Sequence, residues 1–386
     1  MTAVTKYRQG KVLGVSFAHF THDVYSSFLS PLLPLLMEKY GITLSVASVL
    51  SLLQRIPSLF SMVIGAVAHR LPWRGIILTA PLVTATAGSL MGVAPNVVVL
   101  GILLFTIGVS SAVFHVPAPV MIKEYSGRKA GMGMSFYMLG GELARMAGPL
   151  LVVSAVSVWG LQGIWRLILP AIVATVLLSF IIEKKPHEKL AKTESKSAGW
   201  KSTLKQYSLF FTVMGIFLLL RAVVKSSLAT FLPTYIGEKG GTLMAGALSL
   251  SILQVAGAAG SFMGGGISDK IGRFNTLLIV TVVSPVLMLL FVYAEHTYRI
   301  VLLVLLGLTL YSSTPILLAM VQEQGSTRPA LMNASFTTIN FVSGAVAVLG
   351  TGFLGDIFGL DKAYLIVAYS AFGSIPVLFL LKRFVK

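Results

Sequence analysis

Apolar runs of bilayer-crossing length follow one another along almost the whole chain, and nothing else in the sequence restricts its fold so strongly. Twelve are legible, at about 12–36, 44–68, 75–93, 97–122, 131–158, 163–182, 207–234, 242–267, 275–294, 299–321, 331–356 and 363–382. A hydrocarbon core of about 30 Å takes roughly 20 helical residues. Only helices and closed barrels satisfy every backbone N–H and C=O without water, and runs this long and continuously apolar are helices. The expected fold class is therefore all-α integral membrane, with twelve transmembrane helices. With 55% hydrophobic and 11% charged residues and a mean hydropathy of +0.87, the chain cannot hide its apolar surface as a soluble globule. The first run is too long for a cleavable signal, carries His22 and Asp23, and has no small-residue cleavage site, so it reads as a retained first helix. With no cysteine, disulfide and thiol chemistry are excluded.

Charge sets the orientation. The net charge of +17 suggests nucleic acid until the positions are read. With an even number of spans both termini share one side, and that side carries 21 of the 30 Lys and Arg residues, against 5 on the other and 4 inside the spans. The positive-inside rule then puts both termini in the cytoplasm of a cell inner membrane, multi-pass. The basic excess serves topology and anionic headgroups, and no nucleic-acid partner is expected.

One long polar stretch, 183–206, divides the chain into an N-terminal six-helix bundle (1–182) and a C-terminal six-helix bundle (207–386). The halves repeat at an offset of 200: Leu50, Ser51, Leu53 and Gln54 recur as Leu250, Ser251, Leu253 and Gln254, and Met132, Ser135 and Phe136 as Met332, Ser335 and Phe336. A near-constant offset across several helix pairs indicates a 6+6 duplication, the parallel-repeat layout of transporters whose halves rock about a midplane site.

Ionisable residues inside spans cost at least about 2.5–3.5 kcal/mol each, so each needs a partner or a water-filled cavity. His19, His22 and Asp23 fall at i, i+3 and i+4 on one face of the first span. A carboxylate with imidazole neighbours suits proton carriage, and equally suits a structural hydrogen-bond knot; Tyr25 follows, as a substrate contact or an ordinary aromatic. Arg55 in the second span is a candidate substrate clamp or the ion-pair partner of Asp23 or Glu142. His115 stands before Pro117 and Pro119 in the fourth span, where a proline break would expose carbonyls beside an imidazole. Glu142 and Arg145, at i, i+3 in the fifth, can pair with each other or open to a proton and a substrate. Arg221 and Lys225, one turn apart in the seventh with no acid in that helix, call for an anion, either an acid of the first half or an anionic substrate. Gly140, Gly141 and Gly148 permit close helix approach. The proton-coupling set is thus Asp23, His22, Glu142 and His115, and the substrate set His19, Tyr25, Arg55, His115, Arg145, Arg221 and Lys225.

After the eighth span, Gly265-Gly-Ile-Ser-Asp269-Lys270-Ile-Gly272-Arg273 resembles the G-x-x-x-D-[RK]-x-G-R loop signature of the major facilitator superfamily. Asp269, Lys270 and Arg273 would latch one side of the molecule; the first-half loop keeps Arg70 but replaces the acid by His69 and the second glycine by Pro72. Three further motifs are similar to the fosmidomycin-resistance-type branch of that superfamily: His19-Phe-x-x-Asp23-x-Tyr25-x-x-Phe28-Leu29-x-Pro31-x-x-Pro34, Ala112-x-Phe114-His115, and Gly140-Gly141 with Gly148-Pro149-Leu. The resemblance implies the twelve-helix major facilitator fold, a cavity lined by helices one, four, seven and ten, and export of small molecules, drugs among them, in exchange for protons. On that mapping Asp23, His115, Arg221 and Lys225 face the cavity. The chain departs from the branch in placing Val116 between His115 and Pro117 and in carrying the Glu142–Arg145 pair.

The expected function is a proton-coupled secondary transporter of the alternating-access kind, an antiporter exporting a small anionic or zwitterionic organic compound or drug. The alternative is a uniporter or proton symporter of organic anions such as monocarboxylates. The reading from another class is a non-transporting membrane protein, receptor-like or an enzyme on lipids, but no nucleotide-binding loop, metal-ligand spacing or nucleophile triad stands out, and no enzyme is expected. The expected partners are a small-molecule substrate, protons and the lipid bilayer, with the chain a monomer. The proton gradient supplies the energy and no cofactor or resident metal is assigned, although His19, His22 and Asp23 could together ligate a metal as cargo.

Overall fold

The computed structural model describes residues 7–60, 72–182, 200–326 and 328–384. Three expectations fall wholly or partly outside these: the end of the second run (61–68), the latch candidate Arg70, and most of the linker 183–206. All regular structure among the described residues is helical.

The first part of the chain forms α1 (Gln9–Ser26), α2 (Leu29–Tyr40), α3 (Leu44–Arg55) running into a 3-10 turn (Ile56–Phe60), α4 (Trp73–Leu90), α5 (Val97–Phe114), α6 (Pro117–Ser126), α7 (Ala130–Gly163) and α8 (Ile168–Ile181). The remainder forms α9 (Trp200–Gln206), α10 (Ser208–Glu238), α11 (Leu243–Ile271), α12 (Arg273–Tyr293), α13 (His296–Glu323), α14 (Pro329–Phe358), α15 (Leu360–Phe372) and α16 (Ser374–Leu381).

Two breaks have a readable cause. The run expected as one helix over 12–36 stops at Ser26 and restarts at Leu29. Proline rings clash with the carbonyl four residues earlier, and Pro31 aims at Ser27. The fourth run divides between Phe114 and Pro117, with Pro117 as the first residue of α6 and the ring of Pro119 opposing the carbonyl of His115. Among the described residues, nine stretches are long and apolar enough to cross a membrane. One of them, Ala130–Ile181, is a single stretch only in outline, because Gly160 interrupts it at φ +70°.

Two compact units result. The first takes the described residues of Met1–Ile42, Leu50–Thr193 and Thr242–Ser251; the second takes those of Thr43–Val49, Glu194–Gly241 and Ile252–Lys386. In the first unit α1 runs against α7, α4 and α6. Its core joins Val12, Val15 and Ala18 to Ile77, Phe114, Met121, Ile122, Tyr137 and Leu178. Lipid tails are as apolar as side chains, so helices in a bilayer associate through close backbone approach and interhelical hydrogen bonds. The α1–α7 seam shows this directly. A Cβ on Gly140 would lie 2.6 Å from the Ser16 carbonyl oxygen, and one on Gly148 2.5 Å from that of Val24.

In the second unit α10 runs along α14, and α12 packs against α13 and α15, around Met214, Phe217, Leu277, Leu317, Met320, Phe336 and Leu378. The first turn of α3 also belongs to this unit, where the Asp356 carboxylate accepts from the backbone N–H groups of Leu44 at 2.8 Å and Ser45 at 3.0 Å. An acid so placed caps the helix N-terminus and meets the positive end of its dipole. Nothing in the sequence pattern pointed to this cap.

Candidate functional site

Helical spacing alone brings His19, His22 and Asp23 to one face of α1, and the first unit buries all three, with 6%, 0% and 9% exposure. The Asp23 carboxylate is the centre. Its Oδ2 lies 3.2 Å from His19 Nε2, and its Oδ1 lies 2.9 Å from His22 Nδ1 and 3.5 Å from His115 Nε2. The helix break after Phe114 delivers the third imidazole, at the C-cap of α5.

Hydrogen bonds settle which ring nitrogens carry protons. A carbonyl oxygen only accepts, so His19 Nδ1, 2.8 Å from the Tyr137 carbonyl oxygen, must be the N–H. His19 Nε2 then faces the carboxylate 3.2 Å away. If that nitrogen held only its lone pair and the carboxylate no proton, two electron-rich atoms would oppose each other in a buried site, so the arrangement calls for a proton between them. His22 differs. Its Nδ1–H donates to Asp23, while its buried Nε2 has no hydrogen-bond partner among the described residues. A second proton there would bury an unsatisfied N–H, so His22 stands as the neutral Nδ1–H tautomer and orients the carboxylate.

Tyr137, which the sequence reading missed as a site residue, organises the cluster. Its ring stacks on His19 with centroids 4.0 Å apart, and its hydroxyl lies 3.1 Å from His115 Nδ1. Phe114 stacks on His22 at 4.8 Å with an interplanar angle of 6°. The seat for His19 is Gly141, one helical turn beyond Tyr137 on the same face of α7, where a Cβ would approach the imidazole Cε1 to 2.6 Å. Tyr137 and Gly141 at i, i+4 were the available signal.

The other candidates are placed as follows. Tyr25 is buried and its hydroxyl donates to the Leu167 carbonyl oxygen at 2.7 Å, an anchor to the turn before α8. Arg145 pairs with Glu142 along α7, so these two charges satisfy each other within one helix. Arg55 ends α3, half-buried.

In the second unit, Arg221 is buried among neutral acceptors, with its Nε left without a partner among the described residues. Its guanidinium donates to the Val280 carbonyl at 2.9 Å and Ser284 Oγ at 2.5 Å on α12, and to the Thr309 carbonyl at 3.2 Å and Ser313 Oγ at 3.4 Å on α13. A planar fork with five donors can tie three helices together through neutral acceptors, which an i, i+4 charge count cannot reveal. Ser284 gave no sequence signal. Lys225 instead lies over the ring of Tyr311, with Nζ 4.1 Å from the centroid, and the Tyr311 hydroxyl donates to Gln254 Oε1 at 2.9 Å.

The loop motif is likewise placed. Gly272 adopts φ +90°, a conformation open to glycine, and so turns α11 directly into α12. Arg273 then binds Asp269 Oδ1 at 2.6 Å and reaches across to Glu323 Oε1 at 3.1 Å, while Lys270 is exposed. In the first unit Arg74 donates instead to the Ser179 and Ile182 carbonyl oxygens at the end of α8.

Long apolar helices in two compact units, with a buried carboxylate–imidazole cluster in one, define a multi-pass membrane protein. The sequence matches the family model of the Major Facilitator Superfamily over residues 15–348, and the chain belongs to that superfamily. The fosmidomycin resistance protein of Escherichia coli (strain K12) is 24% identical over 364 residues, covering 93% of this chain and 89% of that protein. The multidrug resistance protein MdtG of Salmonella arizonae is 25% identical over 294 residues, covering 72% and 71%. Among solved structures, a bacterial homolog of the human lysosomal transporter Spinster, in its inward-facing and occupied conformation, superposes with a TM-score of 0.80 at 15% identity, over 98% of both chains. The chain is therefore a transporter with the all-helical major facilitator fold, and not an enzyme.

Proposed function

We propose that this protein is a proton-coupled antiporter of the bacterial inner membrane that exports a small anionic or zwitterionic organic compound. In this reading twelve helices span the bilayer as two six-helix bundles joined by residues 183–206, with both termini cytoplasmic and the chain acting as a monomer. The positive-inside distribution of Lys and Arg and the bacterial relatives support that placement.

One observation carries the coupling. The Tyr137 carbonyl holds His19 as the Nδ1–H form, and His19 Nε2 then meets Asp23 Oδ2 at 3.2 Å. A proton between the two satisfies both atoms. Losing it leaves a buried, repelling pair, so a state that reaches water to release the proton must rearrange α1 against α7. Conformation and protonation are thereby linked, which is the requirement for coupling a proton to alternating access. His22 orients Asp23, and His115, whose side chain is 38% exposed, is the route by which the proton reaches it. Lys225 is the half-buried cation that supports an anionic cargo. The names of the fosmidomycin and multidrug resistance relatives support export.

The test uses purified protein in liposomes with an imposed pH gradient and fosmidomycin, a phosphonate, as the probe. Asp23→Asn should abolish gradient-driven accumulation while leaving exchange of labelled for unlabelled probe. Accumulation by Asp23→Asn at the wild-type rate at every pH would refute the coupling assignment.

A further inference from the structure

We propose that His19, Asp23 and His115 also form a binding site for a borderline-soft divalent metal ion, of which Zn²⁺ is the type case. One ligand atom from each lies within 4.8 Å of the others. Tetrahedral ligands at Zn–N and Zn–O bonds of about 2.0–2.1 Å are separated by roughly 3.3 Å. The carboxylate lies near that spacing from each imidazole, through different oxygens: Oδ2 is 3.2 Å from His19 Nε2 and Oδ1 is 3.5 Å from His115 Nε2.

The surroundings are those of a metal site. Ligating histidines characteristically engage their other ring nitrogen with a carbonyl, carboxylate or hydroxyl, which fixes the ring and directs the remaining lone pair at the ion. Both histidines do so on one residue: His19 Nδ1 on the Tyr137 carbonyl at 2.8 Å and His115 Nδ1 at the Tyr137 hydroxyl at 3.1 Å. The ligating carboxylate is itself held by His22 Nδ1–H at 2.9 Å. This differs from the trio that helical spacing suggested: His115 ligates, and His22 supports from behind. Two imidazoles and one carboxylate favour Zn²⁺, Co²⁺ or Ni²⁺ over Mg²⁺ and Ca²⁺, which take oxygen ligands. Three protein ligands leave a fourth position, and the 38% exposed His115 side chain gives an entry.

The ion takes the Nε2 and carboxylate lone pairs that hold the proton. A metal that binds there therefore displaces one proton and stops transport; this consequence rests on the proton-coupled reading, whereas binding does not.

The test is isothermal titration of the full-length protein, purified without an oligohistidine tag, with His69, His187 and His296 replaced by Gln to silence the other histidines. Zn²⁺ should bind with one-to-one stoichiometry and Mg²⁺ should not. His19→Gln, His115→Gln and Asp23→Asn should each weaken Zn²⁺ at least 10-fold, and X-ray absorption of the bound Zn²⁺ should count two imidazoles. Absence of Zn²⁺ binding, or binding indifferent to His115→Gln, overturns the proposal. If Zn²⁺ binds as stated while Asp23→Asn transports normally, the metal site stands and the proton reading falls. If Asp23→Asn abolishes accumulation while the protein takes up no Zn²⁺, the metal site falls and the proton reading stands.

Discussion

Gly141→Ala adds a single methyl group at the point where α7 seats His19. The new Cβ would lie 2.6 Å from Cε1 and 2.9 Å from Nε2 of the imidazole, whereas ordinary contact begins at 3.4 Å, so the ring must retreat by about 0.8 Å. Tyr137 is stacked on it at 4.0 Å and the His19 Nδ1 bond to the Tyr137 carbonyl ties its edge, so the retreat falls on the Nε2 end. A retreat of Nε2 by about 0.5 Å, from 2.9 Å to ordinary contact, opens the 3.2 Å contact with Asp23 to about 3.7 Å, beyond hydrogen-bond reach. Misplacing a proton-handling group by about 1 Å costs on the order of 100-fold in rate. Gradient-driven fosmidomycin accumulation in liposomes should therefore fall roughly 10- to 100-fold, while labelled exchange, which needs no net proton movement, changes by no more than about 3-fold. Gly131→Ala, on the same helix with nothing within 4 Å of its added Cβ, is the matched control and should change neither. Wild-type accumulation by a folded Gly141→Ala protein would refute the claim that the seat of His19 sets coupling.

Three further outcomes follow from the geometry. Arg221→Ala should lower the melting temperature, since charge-assisted hydrogen bonds are each worth about 1.5–3 kcal/mol, and Arg221→Lys should recover little because one ammonium cannot fork to both α12 and α13; unchanged melting with lost probe binding would instead make Arg221 a substrate clamp. Lys225→Gln should raise the KM for fosmidomycin about 10-fold, the equivalent of about 1.4 kcal/mol, and leave a cationic drug unaffected; an equal effect on both would show that Lys225 only braces Tyr311. Asp356→Ala removes the cap on α3 and should cost about 1 kcal/mol, read as faster amide exchange at Leu44 and Ser45, with Asp356→Asn recovering most of it.

The membrane class was legible from run length and hydropathy, which bilayer thickness dictates and tertiary packing does not alter. The break at His115 was legible because a proline ring acts on its own helix. So was the clustering of His19, His22 and Asp23, because 3.6 residues per turn is a local property. The break at Ser27 was equally local, through Pro31, yet an apolar run conceals it. What the sequence could not assign was partnership across helices. Arg221 looks like an unpaired cation along α10, and only the packing of α12 and α13 supplies its four acceptors. Tyr137 looks like one more aromatic, and only the α1–α7 seam makes it the residue that fixes two imidazoles. The division of labour among the histidines was decided in the same way. A lone pair or an N–H is assigned by what faces it, and for His19 that is a carbonyl 118 residues away in sequence. Local chemistry determined which residues would share a face; tertiary structure alone decided which of them could share a proton.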